Sequence, residues 1–82
     1  MNLIYSDEAI KNLKSIGPSD QKRAQKKLEL LMDHPLAGKQ LEGKFSGFRS
    51  LRAWPLRIVY SFNPKTQEIF INNIDYRGGV YK

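Results

Sequence analysis

Two arginines, Arg52 and Arg57, flank a predicted chain reversal at Trp54-Pro55. Proline cannot donate to a sheet ladder and favours extended geometry in the residue before it, which places the turn there. If Arg52 faces Arg57, then Leu51 faces Ile58, because directly opposed residues share a face of the sheet. The two apolar residues would lie on the core side and the two arginines on the other. Like charges held opposite each other cost up to about 1 kcal/mol, which suggests that an anion lies between them.

The residues best suited to phosphate chemistry are Arg52, Arg57 and Arg77, with Tyr81 near the end of the chain. Guanidinium groups match phosphoryl oxygens bidentately and stay charged at any pH. In RNA cleavage the 2′-hydroxyl attacks the neighbouring phosphate, and arginines stabilise the charge that builds on the non-bridging oxygens. Adjacent arginines would lower the pKa of Tyr81 and make it a candidate base. A ring that stacks on a nucleotide is the other interpretation of Tyr81.

Other catalytic classes find little support in the sequence. A single histidine and eight scattered acidic residues give no spacing that resembles a set of metal ligands. There is no cysteine, and no glycine-rich phosphate loop is present. We therefore expect no metal and no cofactor. His34 precedes Pro35 and is expected to cap the end of a helix.

Composition predicts one small domain over residues 1–82. The net charge is +6, and residues 39–82 hold eight basic and three acidic side chains together with eight of the nine aromatics. A basic segment interleaved with aromatics is typical of a nucleic-acid surface, although a generic basic surface over core aromatics has the same composition. No apolar run is long enough to span a membrane, and the N-terminus lacks a signal-peptide core. We expect a cytoplasmic protein without a membrane partner.

The pattern of elements predicts an α+β fold of order β-α-α-β-β-β, in which a helical hairpin packs on a largely antiparallel four-stranded sheet. Ser6 is the expected N-cap of a helix that runs to about Ser15, and a second helix begins at Ser19-Asp20 and ends before Pro35. Glycines and lysines predict a loop over residues 36–47. The predicted strands and turn that follow are the hairpin at 48–60, a turn at 63–66 and a last strand at 67–76.

The second helix carries a basic flank, which consists of Lys22, Arg23, Lys26 and Lys27. Leu30 projects among these cations, where it either packs against the first helix or forms a hydrophobic contact for a partner. The two helices also suggest a helix-turn-helix, but the third helix and the base-reading amides of that motif are missing.

In the order and spacing of these pieces the chain resembles the RelE/ParE superfamily of small toxins from type II toxin–antitoxin systems. The resemblance covers nearly the full length and lies in Leu41-Glu42-Gly43, in Leu51-Arg52 followed by Leu56-Arg57-Ile58-Val59-Tyr60, and in Arg77-Gly78-Gly79-Val80-Tyr81. It implies a RelE-like fold. It also implies that Arg57 stabilises the cleaved phosphate, that Arg77 is a second catalytic arginine, and that Tyr81 lies near the nucleotide.

The resemblance implies a ribosome-dependent mRNA endonuclease that uses no metal, inhibits translation and is silenced by a small acidic antitoxin. Its other partners would be the ribosome with mRNA and 16S rRNA, which the basic flank would face, and operator DNA only through the antitoxin. The alternatives are a ParE-like inhibitor of DNA gyrase and a non-catalytic RNA-binding domain.

The chain departs from the pattern of the superfamily at the catalytic lysines and at the turn of the hairpin. Its catalytic lysines align with Phe48 and Ser50, so Lys44, Arg49 or Arg52 is expected to bind RNA in their place. The turn before the arginine strand contains Trp54-Pro55 in place of the usual glycine, and an aromatic–Pro bond adopts the cis form more often than other peptide bonds do.

Overall fold

The structure, a computed structural model, describes residues 2–76. Its elements are β1 (Asn2–Tyr5), α1 (Asp7–Ser15), α2 (Pro18–Asp33), β2 (Lys39–Gln40), a 3-10 turn (Gly43–Phe45), β3 (Arg49–Ala53), β4 (Leu56–Asn63) and β5 (Glu68–Tyr76). They form one sheet of order β1-β5-β4-β3-β2, in which only the β1–β5 pair is parallel. The predicted α+β class is confirmed. The sheet has five strands instead of four, because Lys39–Gln40 pairs with β3 inside the expected loop.

The two helices cover one face of the sheet. Ser6 caps α1 as predicted, since its Oγ accepts from the Ala9 N–H, while α2 begins at Pro18, one residue before the predicted start. The helices and the strands share a single core. Its buried residues are Ala9, Ile16, Ala24, Leu28, Leu31, Leu51, Ala53, Leu56, Ile58, Tyr60, Ile69, Ile71 and Ile74.

Strand β5 contains a β-bulge at Asn72, where its backbone forms hydrogen bonds with α1 and the cap of α1. Tyr60 pairs with Ile71 but Val59 pairs with Asn73, so Asn72 is one extra residue on β5. The Ser6 Oγ donates to the Asn72 carbonyl, and the Asn12 Oδ1 accepts from the Ile74 N–H at 2.9 Å. Side chains of α1 and its cap thus provide hydrogen-bond partners for backbone groups of β5 at and beside the bulge, beyond the residues that pair with β1.

The loop after α2 is held by Tyr60, which is completely buried. Its hydroxyl donates to the Pro35 carbonyl at 2.9 Å and accepts from the Gly38 N–H at 2.8 Å. A Cβ on Gly38 would lie 2.7 Å from the Tyr60 ring, so only glycine allows this approach. Burial raises the pKa of Tyr60, an effect that the Gly38 hydrogen bond and the charge of Arg49 partly offset. The position of β2 therefore depends on a protonated phenol.

Asn12→Ala is expected to lower the free energy of unfolding by about 1–3 kcal/mol, because the Ile74 N–H loses its acceptor beside the core. Asn12→Asp retains an acceptor oxygen and should lose clearly less stability. Urea unfolding followed by circular dichroism measures both variants. Equal destabilisation of the two would show that the bulge does not depend on this hydrogen bond.

Tyr60→Phe is expected to cost about 1–3 kcal/mol, because Gly38 and Pro35 each lose a buried hydrogen-bond partner. The variant also changes the pH dependence. With its folded pKa raised, Tyr60 contributes stability that is complete below the unfolded pKa of about 10 and is lost as the pH rises through the folded pKa. Unfolding curves from about pH 8 to about pH 11 should therefore fall less steeply for Tyr60→Phe than for the native chain. Parallel curves would contradict the role of the buried phenol.

Candidate nucleic-acid interface

The β3–β4 hairpin holds Arg52 and Arg57 directly opposite each other, as predicted. The turn lies at Trp54-Pro55, also as predicted, and the peptide bond between these two residues is cis. Leu51 and Ile58 form the neighbouring pair, and both are buried against the helices. Because side chains alternate along a strand, the two arginines emerge on the face that points away from the helices. The inferred juxtaposition of like charges is therefore present in the fold.

The two guanidinium groups have different surroundings. Arg52 is exposed, whereas Arg57 is half-buried and its Nε is fully buried. On its other side Arg57 faces Asp75 of β5, whose carboxylate accepts from the Tyr76 N–H. A row of two cations and one anion thus crosses three strands. Asp75 offsets part of the repulsion that Arg57 experiences from Arg52, and burial restricts the Arg57 side chain.

Sequence reasoning missed Asp75 because it missed the bulge at Asn72. Counted back without a bulge from the Asn63–Glu68 pair, the residue opposite Arg57 would be Ile74. The sequence feature that could have revealed the bulge is a change in the spacing of the apolar residues along β5. Ile69 and Ile71 are two residues apart, whereas Ile71 and Ile74 are three apart, yet all three are buried.

The arginine pair lines a groove of about 840 Å³, where α2, β2 and the β3–β4 hairpin meet. Among the described residues that line it, the charged ones are Lys27, Lys39, Arg52, Arg57 and Glu42. We call this the basic groove. Four cations against one carboxylate in a concave surface attract a polyanion and concentrate it near the surface. The sequence placed Lys27 and Arg52 on an RNA surface, whereas it indicated Lys39 only as one of the lysines of the loop at 36–47.

Arg49 contacts the loop after α2, and its predicted contact with RNA stays a prediction. Its side chain lies on the helix side of β3, opposite Tyr60, and its Nη1 donates to the Gly38 carbonyl at 2.8 Å and to the Leu36 carbonyl at 3.4 Å. These bonds hold the same loop that the Tyr60 hydroxyl holds. Arg49 therefore supports the segment that leads into β2 and carries Lys39.

The remaining predicted RNA-binding cations lie outside the lining of the basic groove. Lys22, Arg23 and Lys26 are exposed on α2, and Arg23 forms an ion pair with Asp20 at 2.9 Å. Lys44 is exposed on the 3-10 turn. Of the basic flank, only Lys27 comes together with the arginine pair. Contact of the other four with RNA stays a prediction.

Arg77 and Tyr81, two of the three predicted catalytic residues, lie outside the described residues. The described chain ends at Tyr76, which is paired with Leu56 at the end of β5. The Tyr76 hydroxyl donates to Asp20 Oδ2 at 2.9 Å, and this hydrogen bond raises the pKa of Tyr76. Asp20 thus links the end of β5 to the start of α2.

The structure also gives the positions of Leu30 and His34. Leu30 is 37% exposed, and it is Leu28 that lines an apolar groove together with residues of α1. Of the two interpretations of Leu30, the exposed position favours a hydrophobic contact for a partner. His34 is the exposed C-cap residue of α2. Within residues 2–76, no group of three or more histidine, aspartate or glutamate side chains is placed to hold a metal ion. No described helix is long and apolar enough to cross a membrane.

Comparisons with solved structures show the fold. The RelBE2 toxin–antitoxin complex from Mycobacterium tuberculosis contains a chain that is 22% identical, with a TM-score of 0.85 over 93% of this chain and 96% of that one. The RelE–RelB complex of Pyrococcus horikoshii gives 23% identity and a TM-score of 0.80 over 96% and 97% of the two chains. YafQ from E. coli gives 15% identity and a TM-score of 0.82 over 98% and 97%.

Comparison of the sequence with protein families assigns the chain. No curated protein sequence matched it. The family model described as the ParE toxin of type II toxin–antitoxin systems matches residues 3–81, nearly the whole chain. This match, together with the RelE-like fold, confirms the resemblance to the RelE/ParE superfamily. The chain belongs to the ParE toxin family of type II toxin–antitoxin systems.

Proposed function

We propose that this toxin is an mRNA endonuclease that works on the ribosome, inhibits translation and is neutralised by a small acidic antitoxin. The observation that carries the proposal is the convergence of Lys27, Lys39, Arg52 and Arg57 on one groove. A phosphodiester strand is the ligand class that matches four cations in a concave surface, because each phosphate supplies one negative charge and several acceptor oxygens.

The proposed chemistry is transesterification within the RNA strand. The 2′-oxygen forms a bond to the neighbouring phosphorus, the bond from phosphorus to the 5′-oxygen breaks, and the products are a cyclic phosphate and a 5′-hydroxyl. Arg57 is half-buried and restricted, so it is suited to stabilise the charge that develops on the non-bridging oxygens. Arg52 would bind the strand from the exposed side of the same row.

The group that removes the proton from the 2′-hydroxyl is expected among the residues beyond β5. The proton of the 2′-hydroxyl must leave and the 5′-oxygen must gain one, yet an arginine cannot serve as the base. In this proposal Tyr81 accepts the first proton, or stacks on the nucleotide while water accepts that proton. Water protonates the departing 5′-oxygen, and Arg77 adds a second guanidinium at the phosphate. Such a site has few acid–base groups, so it would depend on the ribosome to hold the mRNA in reactive geometry.

The proposed partners follow from the same surface. An acidic antitoxin would neutralise the basic groove by charge complementarity, and an apolar side chain of that partner would contact Leu30, which is exposed on α2. Ribosomal RNA would lie against the basic flank. Operator DNA would be reached only through the antitoxin.

A second candidate function is inhibition of DNA gyrase, because the matching family model is that of ParE toxins. Related folds host different activities, so the fold does not distinguish gyrase inhibition from mRNA cleavage. Only the chemistry of the groove can distinguish these two functions. Purified toxin that inhibits gyrase supercoiling and leaves ribosome-bound mRNA intact would support this candidate and contradict the endonuclease.

Arg57→Ala is expected to abolish growth arrest and to slow mRNA cleavage by about 10²–10³-fold, the usual effect of losing one preorganised donor at a developing oxyanion. Mapping of mRNA 5′ ends after induction, with purified ribosomes present or absent, measures the cleavage. Lys65→Ala is the matched control, since it removes one cation from the exposed turn between β4 and β5. Undiminished cleavage by Arg57→Ala, or an equal loss in Lys65→Ala, would contradict the assigned role.

A further inference from the structure

The turn of the β3–β4 hairpin presents the only tryptophan of the chain. Trp54 is 63% exposed, more than any other large apolar residue among residues 2–76. The residues on either side of the turn, Ala53 and Leu56, are 2% and 0% exposed. An exposed indole is therefore carried on a short turn whose two ends are fixed in the core.

The charges nearest to this turn along the hairpin are both positive. Arg52 precedes Trp54 by two residues, a distance of roughly 7 Å along a strand, and Arg57 is the cross-strand partner of Arg52. Guanidinium groups beside an exposed aromatic ring are the two components that proteins use for single-stranded nucleic acids. The cations bind phosphates, and the ring stacks on a base.

We propose that Trp54 is a stacking platform for a base of the RNA strand whose phosphate lies at the Arg52–Arg57 pair. This inference rests on the proposed function and specifies how the same site holds its substrate. The strand would leave the basic groove at the hairpin and place one unpaired base on the indole. A duplex would not suffice, because stacking on a side chain requires an unstacked base.

An RNA strand fits this position better than an antitoxin segment. An apolar anchor in a protein interface is usually surrounded by uncharged contacts that exclude water. Trp54 instead lies in the turn between two arginines that an apolar segment would have to desolvate. A single-stranded RNA compensates those charges with its phosphates, and the same ligand supplies a flat base that stacks on the indole.

The fluorescence of Trp54 reports the contact directly, because no other tryptophan contributes. We expect a short single-stranded oligouridylate or oligoadenylate to quench the full-length toxin saturably, with the larger adenine more effective. An abasic strand with the same number of phosphates should not quench. Added salt should weaken the binding strongly, as phosphate contacts require. Absence of quenching, with or without RNA binding, would overturn the proposal.

Two substitutions of Trp54 distinguish stacking on the aromatic ring from hydrophobic contact with an apolar side chain. Trp54→Leu is expected to weaken binding of labelled oligonucleotide on the order of 10- to 100-fold, and Trp54→Phe should retain most of the affinity. Ile10→Ala is the matched control, because Ile10 is 42% exposed on α1, away from the basic groove. Thermal unfolding confirms that each variant is folded. Native affinity in folded Trp54→Leu would show that the ring faces another partner.

The ribosome assay distinguishes failure of this inference from failure of the proposed function. Cleavage that persists in the native chain and is unchanged in Trp54→Leu would leave the endonuclease intact and reject the stacking role. Quenching without any cleavage would support the stacking role and reject the endonuclease. Cleavage sites whose base preference shifts in Trp54→Leu and returns in Trp54→Phe would support both.

Discussion

The register of one hairpin determines the rest of the candidate site. A two-residue turn between the buried Ala53 and Leu56 leaves a single pairing that keeps Leu51 and Ile58 in the core. A shift by one residue would turn this apolar pair to solvent, at a cost of several kcal/mol. The repulsion between Arg52 and Arg57 is worth about 1 kcal/mol at most, so it cannot change the register. Core packing therefore holds positions 52 and 57 opposite each other, even though both carry arginine.

Two further features of the fold set the charges around this pair. The bulge at Asn72 moves Asp75 opposite Arg57, where its charge offsets part of the repulsion. The contacts of Tyr60 and Arg49 with the loop after α2 place β2 and Lys39 beside β3. Neither feature touches a substrate in our proposal. Each uses contacts with the backbone to fix the position of a charged side chain. A small domain preorganises a binding surface in this way.

The sequence predicted what is determined locally and missed what depends on distant contacts. The turn, the hairpin register and the Ser6 cap follow from neighbouring residues, and all three are correct. The bulge lies where Ser6 and Asn12 form hydrogen bonds with the backbone of residues 66 and 62 positions away. The structural use of Arg49 requires a loop that only the buried Tyr60 brings near. Arg77 and Tyr81 lie outside the described residues, and their roles remain proposals.

The central claim is that the fold retains a destabilising arginine pair because the pair binds an anionic strand. The most direct test is the free energy of unfolding of the native chain and of Arg52→Gln at low ionic strength, with and without a saturating single-stranded oligonucleotide. Without the strand, the account predicts that Arg52→Gln is the more stable by up to about 1 kcal/mol, a difference that salt removes. With the strand, the order should reverse, because tighter binding stabilises the native chain more. A native chain that is already the more stable without RNA, or an order that RNA leaves unchanged, would contradict the account.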